Sequence, residues 1–349
     1  NYSARPIYSS GVGYMTSCPP QSRGSPVDHT LRVAALSAVA AGLIYTINNY
    51  FNFWRGWPGL DRLFANVGWF GFDPLPVALE ASAEVLGWIQ FGFYLGPIAG
   101  IIVIVLSTRD RSLRADAQSL SALAAYIARA AFWAVLLIGL VDMAISFLRV
   151  EGILAPVVGE GLAKDLGRSS FRGDYVHYPL IGLSFVIASF FRSLGFIWLA
   201  LLIVLAEFQI VISRFVFSYE QAFMSDLVRF WYGALFLFAS AYTLIEEGHV
   251  RVDILYAGFT ERGKAWTNAI GSSLLGIPLC WVVLTRGMDG KSNLINGPLL
   301  SNEVTQSGYG MYVKYLMAGF LIVYALTMLA VFASSFLSSA AVLLRGTTP

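Results

Sequence analysis

The sequence predicts an all-α polytopic integral membrane protein with about seven to eight transmembrane helices. Of its 349 residues, 57% are hydrophobic and 13% charged, where a soluble domain carries about 25% charged residues. The mean hydropathy is +0.66. A hydrocarbon core of about 30 Å needs about 20 apolar residues per helix. Such runs fall at 33–53, 85–107, 121–148, 194–213, 227–245, 265–285 and 312–337. The net charge of +2 comes without a basic cluster, so no nucleic-acid partner is expected. The expected partners are membrane lipid and other membrane subunits.

Residues 1–30 are rich in Tyr, Ser, Gly and Pro, with no apolar stretch ahead of a cleavage site, and read as a mobile tail. The chain begins at Asn1, which leaves both processing and a start at Met15 open. Residues 31–192 read as an N-terminal membrane extension of three to four helices, and 193–349 as a four-helix unit. Within the extension, Trp54, Trp57, Trp69 and Phe70 suit an aromatic belt at the headgroups, and Leu60–Phe64 can begin a short amphipathic helix on the membrane. Cys18 lies in the tail and Cys280 inside a span, so no disulfide is expected.

The turn 108–114 holds Arg109, Arg111 and Arg114, and the stretch after Ile245 holds Arg251, Arg262 and Lys264. Both read as cytoplasmic, because short loops rich in Arg and Lys stay inside. An even number of crossings must separate them. The runs at 121–148, 194–213 and 227–245 make three, so the short segment 176–191 is expected to cross as well, unless it is the first half of a bent helix running on to Phe217. Eight crossings put both termini in the cytoplasm and place Lys164, Arg168 and Arg172 in an outer loop.

A charged side chain inside a span is costly and points to a role. The intramembrane acids are Asp142 and Glu207, each expected to pair with an arginine of a neighbouring helix. Arg214 closes the span that holds Glu207, and Asp226 precedes Arg229 by three residues, a helical spacing at which side chains meet. Between two spans lies a charged stretch: Glu246, Glu247, His249, Arg251 and Asp253, with Val250, Val252, Ile254 and Leu255 set among them. That arrangement suits a segment at the membrane interface. The other two histidines are His29 and His177 and no cysteine is near, so no metal site is expected. No nucleotide loop and no paired nucleophile suggest an enzyme or a cofactor. Before the last span, the polar loop with Asn302, Glu303 and Gln306, together with Arg286 and Lys291, offers donors and acceptors on the opposite face.

From about Leu194 onward the chain resembles the small permease subunit (DctQ-like) of tripartite ATP-independent periplasmic (TRAP) transporters. The first span ends in Arg214-Phe215-Val216-Phe217, and Ser225-Asp226-Leu227 opens the second with one acid where the family usually has two. Glu247-Gly248-His249-Val250-Arg251-Val252-Asp253 matches the family's acid-x-His-Val-Arg-Val-Asp signature. The residues before 193 do not match the compact subunit and resemble the N-terminal extension of larger members.

The resemblance implies a helical scaffold in the bacterial inner membrane that packs beside a large permease subunit and helps dock a periplasmic binding protein during symport of organic acids. Arg214, Asp226, Arg229, Glu246, Glu247, His249, Arg251 and Asp253 read as subunit contacts, with a solvated charged turn and a titrating or ion-binding site as the other readings of 246–253. Arg286, Lys291, Asn302, Glu303 and Gln306 read as the face that meets a binding protein or as an ordinary polar connector. The alternative is an accessory or assembly subunit of another membrane complex, such as an energy-converting one, that keeps this fold without transport.

Overall fold

The computed structural model describes residues 25–191, 196–245, 256, 258–305 and 310–345, and among these every regular element is helical. The charged segment 246–253, Cys18 and Gln306 lie outside the described residues.

α1 (Pro26–Phe53) starts where Ser25 and Asp28 form a reciprocal cap around Pro26, satisfying amides that the first turn leaves open. α2 (Gly59–Val67) is the short amphipathic helix expected near Leu60, and it stops at Gly68, whose φ of 75° suits a residue without a Cβ. α3 (Ala81–Ser107) carries Pro97 in its interior. α4 (Leu113–Val150) is capped by Ser112. Three short helices follow: α5 (Leu154–Val158), α6 (Glu160–Leu166) and α7 (Ser169–Arg172). A π-helical turn, Gly173–His177, joins α7 to α8 (Tyr178–Phe190). Then come α9 (Phe196–Val216), α10 (Ala222–Ile245) and α11 (Glu261–Ile270). A second π turn, Gly271–Gly276, leads into α12 (Ile277–Met288), followed by α13 (Asn296–Ser301) and α14 (Lys314–Arg345).

Both π turns stand directly before a proline, Pro179 and Pro278. Proline has no N–H to give and its ring crowds the carbonyl four residues earlier. A wider turn closes with bonds one residue longer instead, from Tyr178 N to the Gly173 carbonyl and from Ile277 N to that of Ser272. The helices therefore continue past each proline without a break, which is the local repair that lets proline stay in a membrane helix.

Among the described residues seven helices are long and apolar enough to cross a membrane: α1, α3, α4, α9, α10, α11 with α12 as one span, and α14. The 13 residues of α8 fall short of that length on their own. Yet α8 runs back along α4, with His177 beside Asp142, and Phe185 O and Ser189 Oγ beside Tyr126 Oη at 3.1 and 3.3 Å. α9 then runs with α4, since Phe196 packs on Phe132 and Tyr219 bonds Glu151. The chain thus reverses between α8 and α9, and the single bent helix to Phe217 is not formed. Counting α8, the described helices traverse the bundle eight times. Arg32 bonds Thr108 and Asp116, and Ser334 bonds Ala117, so the two described ends share the face that carries the 108–112 turn.

α4 and α14 run antiparallel through the middle of the bundle, and both supply residues to each of two apolar cores. One core joins them to α1 and α12 through Ala35, Ala117, Leu284 and Leu329. The other joins them to α9 and α10 through Val135, Leu199, Phe230 and Phe320. Helices of the expected N-terminal extension pack directly against the C-terminal ones. One of its helices is their central packing partner.

Candidate functional site

The densest buried polar chemistry lies where α4, the α7–α8 bend and the start of α14 meet. Asp142, Arg172 and His177 are each wholly buried. Arg172 Nη1 donates to Asp142 Oδ1 at 2.8 Å and to Ser146 Oγ at 3.2 Å, and its Nε donates to the Leu166 carbonyl at 2.6 Å. His177 Nε2 stands 3.2 Å from the same carboxylate oxygen, and its Nδ1 is 2.8 Å from Tyr315 Oη. The other oxygen, Asp142 Oδ2, accepts from Tyr312 N at 2.8 Å. Two cations stack on the Tyr312 ring, Arg172 at 4.2 Å and Arg149 at 4.7 Å from its centroid. The Tyr312 hydroxyl donates to the Gly167 carbonyl at 3.0 Å and accepts from Arg149.

Taking a carboxylate and a guanidinium out of water costs several kcal/mol each, and only mutual pairing with further hydrogen bonds offsets it. Here the chain supplies both. The Gly173–His177 turn swings His177 to the inside directly after Arg172, so one bend delivers a cation and an imidazole to one carboxylate. Tyr312 and Tyr315 come from the far end of the chain. The arrangement fastens residues 142–177 to residues 312–315.

Asp142 thus has an arginine partner, as expected, but from an unexpected place. Arg172 is not in a solvated outer loop; folding back of α8 buries it. Glu207 departs from expectation. It is exposed on α9, and no ion pair or hydrogen bond to it is found among the described residues. Arg214 is exposed on the same helix two turns later. Asp226 does lie near Arg229, at 3.8 Å, but its closer partners are Thr305 Oγ1 at 2.9 Å and Met311 N at 3.1 Å. It therefore ties the start of α10 to the connection before α14.

On the face of the 108–112 turn, Asp116 receives Arg32 and Arg111, both at 2.5 Å, while Arg32 also donates to the Thr108 carbonyl at 2.8 Å. On the other face, Arg286, Lys291 and Asp289 are exposed, and Glu303 pairs with Lys314 at 2.6 Å. Asn302 adopts a left-handed conformation, φ 48°, that ends α13. At the Tyr219 turn, the hydrogen bond to Glu151 raises the phenol pKa above its usual value.

Several of these groups are not evident in the sequence alone. Arg32, Arg172, His177, Tyr312 and Tyr315 gain meaning only from partners far along the chain. Gln90 is another: wholly buried in α3, it donates to Asn48 and Asn52 of α1 at 2.6 Å each and accepts from Gly59 N. Arg129, near the middle of α4, is half-buried beside Tyr126. Intramembrane Asn, Gln and Arg are signals that a search limited to acids passes over. Among the described residues no group of three or more His, Cys, Asp or Glu is placed to hold a metal.

Residues 202–342 match the family model of the DctQ component of tripartite ATP-independent periplasmic transporters. The match takes in most of α9, all of α10 to α13, and most of α14. It covers less than half of the chain and leaves α1 to α8 unmatched. No curated protein and no solved structure matches the chain.

Proposed function

We propose that this chain, whose residues 202–342 form a DctQ-type domain, is the small permease subunit of a TRAP transporter and acts there as a fixed membrane scaffold. The match over the C-terminal helices is the observation that carries the reading. The fold supports the scaffold part of it. Among the described residues the buried charges Asp142 and Arg172 pair with each other and bond His177, Ser146 and Tyr312, and Arg32 pairs with Asp116. Of the interior prolines, Pro179 and Pro278 follow π turns and Pro97 lies within α3 without ending it, so none of the three breaks a helix to expose ligating backbone. A site opened alternately to two sides needs the opposite on both counts.

In this reading the large permease subunit carries the solute and ion sites, and organic acids are the expected solute class. The face with Arg286, Lys291, Asn302 and Glu303 would be periplasmic and meet the binding protein. The Arg-rich face would be cytoplasmic, with both ends of the chain there, in a bacterial inner membrane. Affinity purification of the tagged chain from its native membrane tests this. Recovery of a large polytopic permease, and of a soluble binding protein when solute is present, is the expected result. Recovery with a pigment- or quinone-containing complex and no permease would overturn it in favour of an accessory role elsewhere.

A further inference from the structure

α9 shows a regular outward face that its own bundle leaves uncovered. Ile197, Leu201, Val204, Phe208, Val211 and Phe215 are all exposed, and they recur in alternating steps of four and three residues. That 3.5-residue period is the seam by which one helix receives another at a shallow left-handed crossing. Glu207 and Arg214 each stand immediately before a seam residue, seven residues apart, in the flanking position where paired helices place their interhelical charges. Glu207 is the twelfth of the 21 residues of α9, set among exposed apolar side chains. No ion-pair or hydrogen-bond partner reaches it among the described residues.

A carboxylate left against hydrocarbon is costly, and such groups in membrane helices face protein or a polar cavity. We propose that the outward face of α9 seats one transmembrane helix of the large permease subunit, which brings a basic side chain to Glu207 and an acidic one to Arg214. This rests on the small-permease reading above. A second copy of this chain fits poorly, because a parallel two-fold pairing of α9 sets Glu207 against Glu207 and Arg214 against Arg214. Lipid alone fits poorly too, since acyl chains offer the carboxylate no donor. A partner helix with the opposite order of charge satisfies both positions at once.

The test uses the full chain co-expressed with its large permease. A benzophenone amino acid placed at Val204 or Val211 should crosslink to the large permease, and one at Leu274, exposed on another span, should not. Glu207→Lys should lower the co-purified permease by about tenfold or more, and Glu207→Gln by less, with the yield of the chain itself unchanged because the side chain is exposed. Crosslinks from Val204 and Val211 only to lipid or to a second copy would overturn the proposal, as would a Glu207→Lys complex recovered at the wild-type level. If the permease co-purifies but crosslinks only from Leu274, the assigned face is wrong and the small-permease reading stands. If the wild-type chain recovers no large permease, that reading falls and this proposal with it.

Discussion

Asp142 of α4 and Arg172 of α7 are joined at 2.8 Å with neither side chain exposed to solvent. Breaking such a pair from one side leaves the other charge buried and uncompensated, at a cost of about 3–5 kcal/mol. Asp142→Ala or Arg172→Met should therefore lower the thermal midpoint of the detergent-purified chain sharply and reduce its recovery. The double variant should lose less than the two single losses added together. Thermal unfolding followed by circular dichroism measures all three. Additive losses would mean that the pair is not coupled.

How much of this could be seen in the sequence differs from one part to the next. The apolar runs, the short helix near Leu60 and the pairing of Asp142 with an arginine were all legible, because each rests on local composition or on one energetic rule. The partner of Asp142 was not. Arg172 sits in a stretch with Gly167, Ser169, Ser170 and Gly173 that reads as a solvated connection. Only the return of α8 along α4 brings it inside. The same holds for Arg32 with Asp116, which are 84 residues apart in the chain. Glu207 fails for the opposite reason. The expectation of an internal partner assumed that every intramembrane charge is satisfied within its own chain, which need not hold for a subunit. The signature at 246–253 was the clearest functional signal in the sequence. It lies outside the described residues, so its expected subunit contacts remain a proposal.

Gly139 of α4 lies against the Trp231 indole of α10, whose Nε1 donates to the Val135 carbonyl at 3.2 Å. A Cβ at 139 would collide with that ring, and overpacking of this kind costs about 1–3 kcal/mol. Gly139→Ala should lower the thermal midpoint, and Gly139→Leu should do so further. Trp231→Phe in the Gly139→Ala background should restore part of the loss by opening space. Lack of any such rescue would place the strain elsewhere.

Asp226 holds Thr305 and the Met311 amide, so it anchors the connection that leads into α14. Asp226→Ala leaves that buried N–H without an acceptor, a loss of about 1–3 kcal/mol. Limited proteolysis of the purified variant should cut faster within 303–313 than in the wild-type chain, with the other cleavage sites unchanged. Equal cutting rates would show that Asp226 does not hold this connection.

The reversal of the chain between α8 and α9 predicts the sidedness of single-cysteine variants made in a background lacking Cys18 and Cys280. A cysteine replacing Ser112 should react from the same side as one added at the C-terminus, because Arg32–Asp116 and Ser334–Ala117 bring the two described ends to that face. A cysteine replacing Ser292 should react only from the other side. In the proposed orientation, which rests on the arginines at 109, 111 and 114, the first side is the cytoplasmic one. If Ser112→Cys and Ser292→Cys react from one side, α8 does not carry the chain across.

The chain by itself should not move solute. Alternating access needs a polar site near mid-membrane that two halves of a structure can uncover in turn. In this bundle α4 and α14 serve both apolar cores, so no two halves can separate without parting the central helix pair. Asp142 has both oxygens occupied by Arg172, His177 and Tyr312 N, and the buried acids Asp116 and Asp226 are likewise held, by Arg32 and Arg111 and by Thr305 and Met311 N. Glu207 of α9 is exposed on the outside of the bundle. Purified chain in liposomes under a sodium gradient should show no uptake of labelled organic acids above empty vesicles. Uptake should appear once the large permease and binding protein are added. Gradient-driven uptake by the chain alone, abolished by Asp142→Asn while the variant still folds, would make this network a coupling site and refute the scaffold reading.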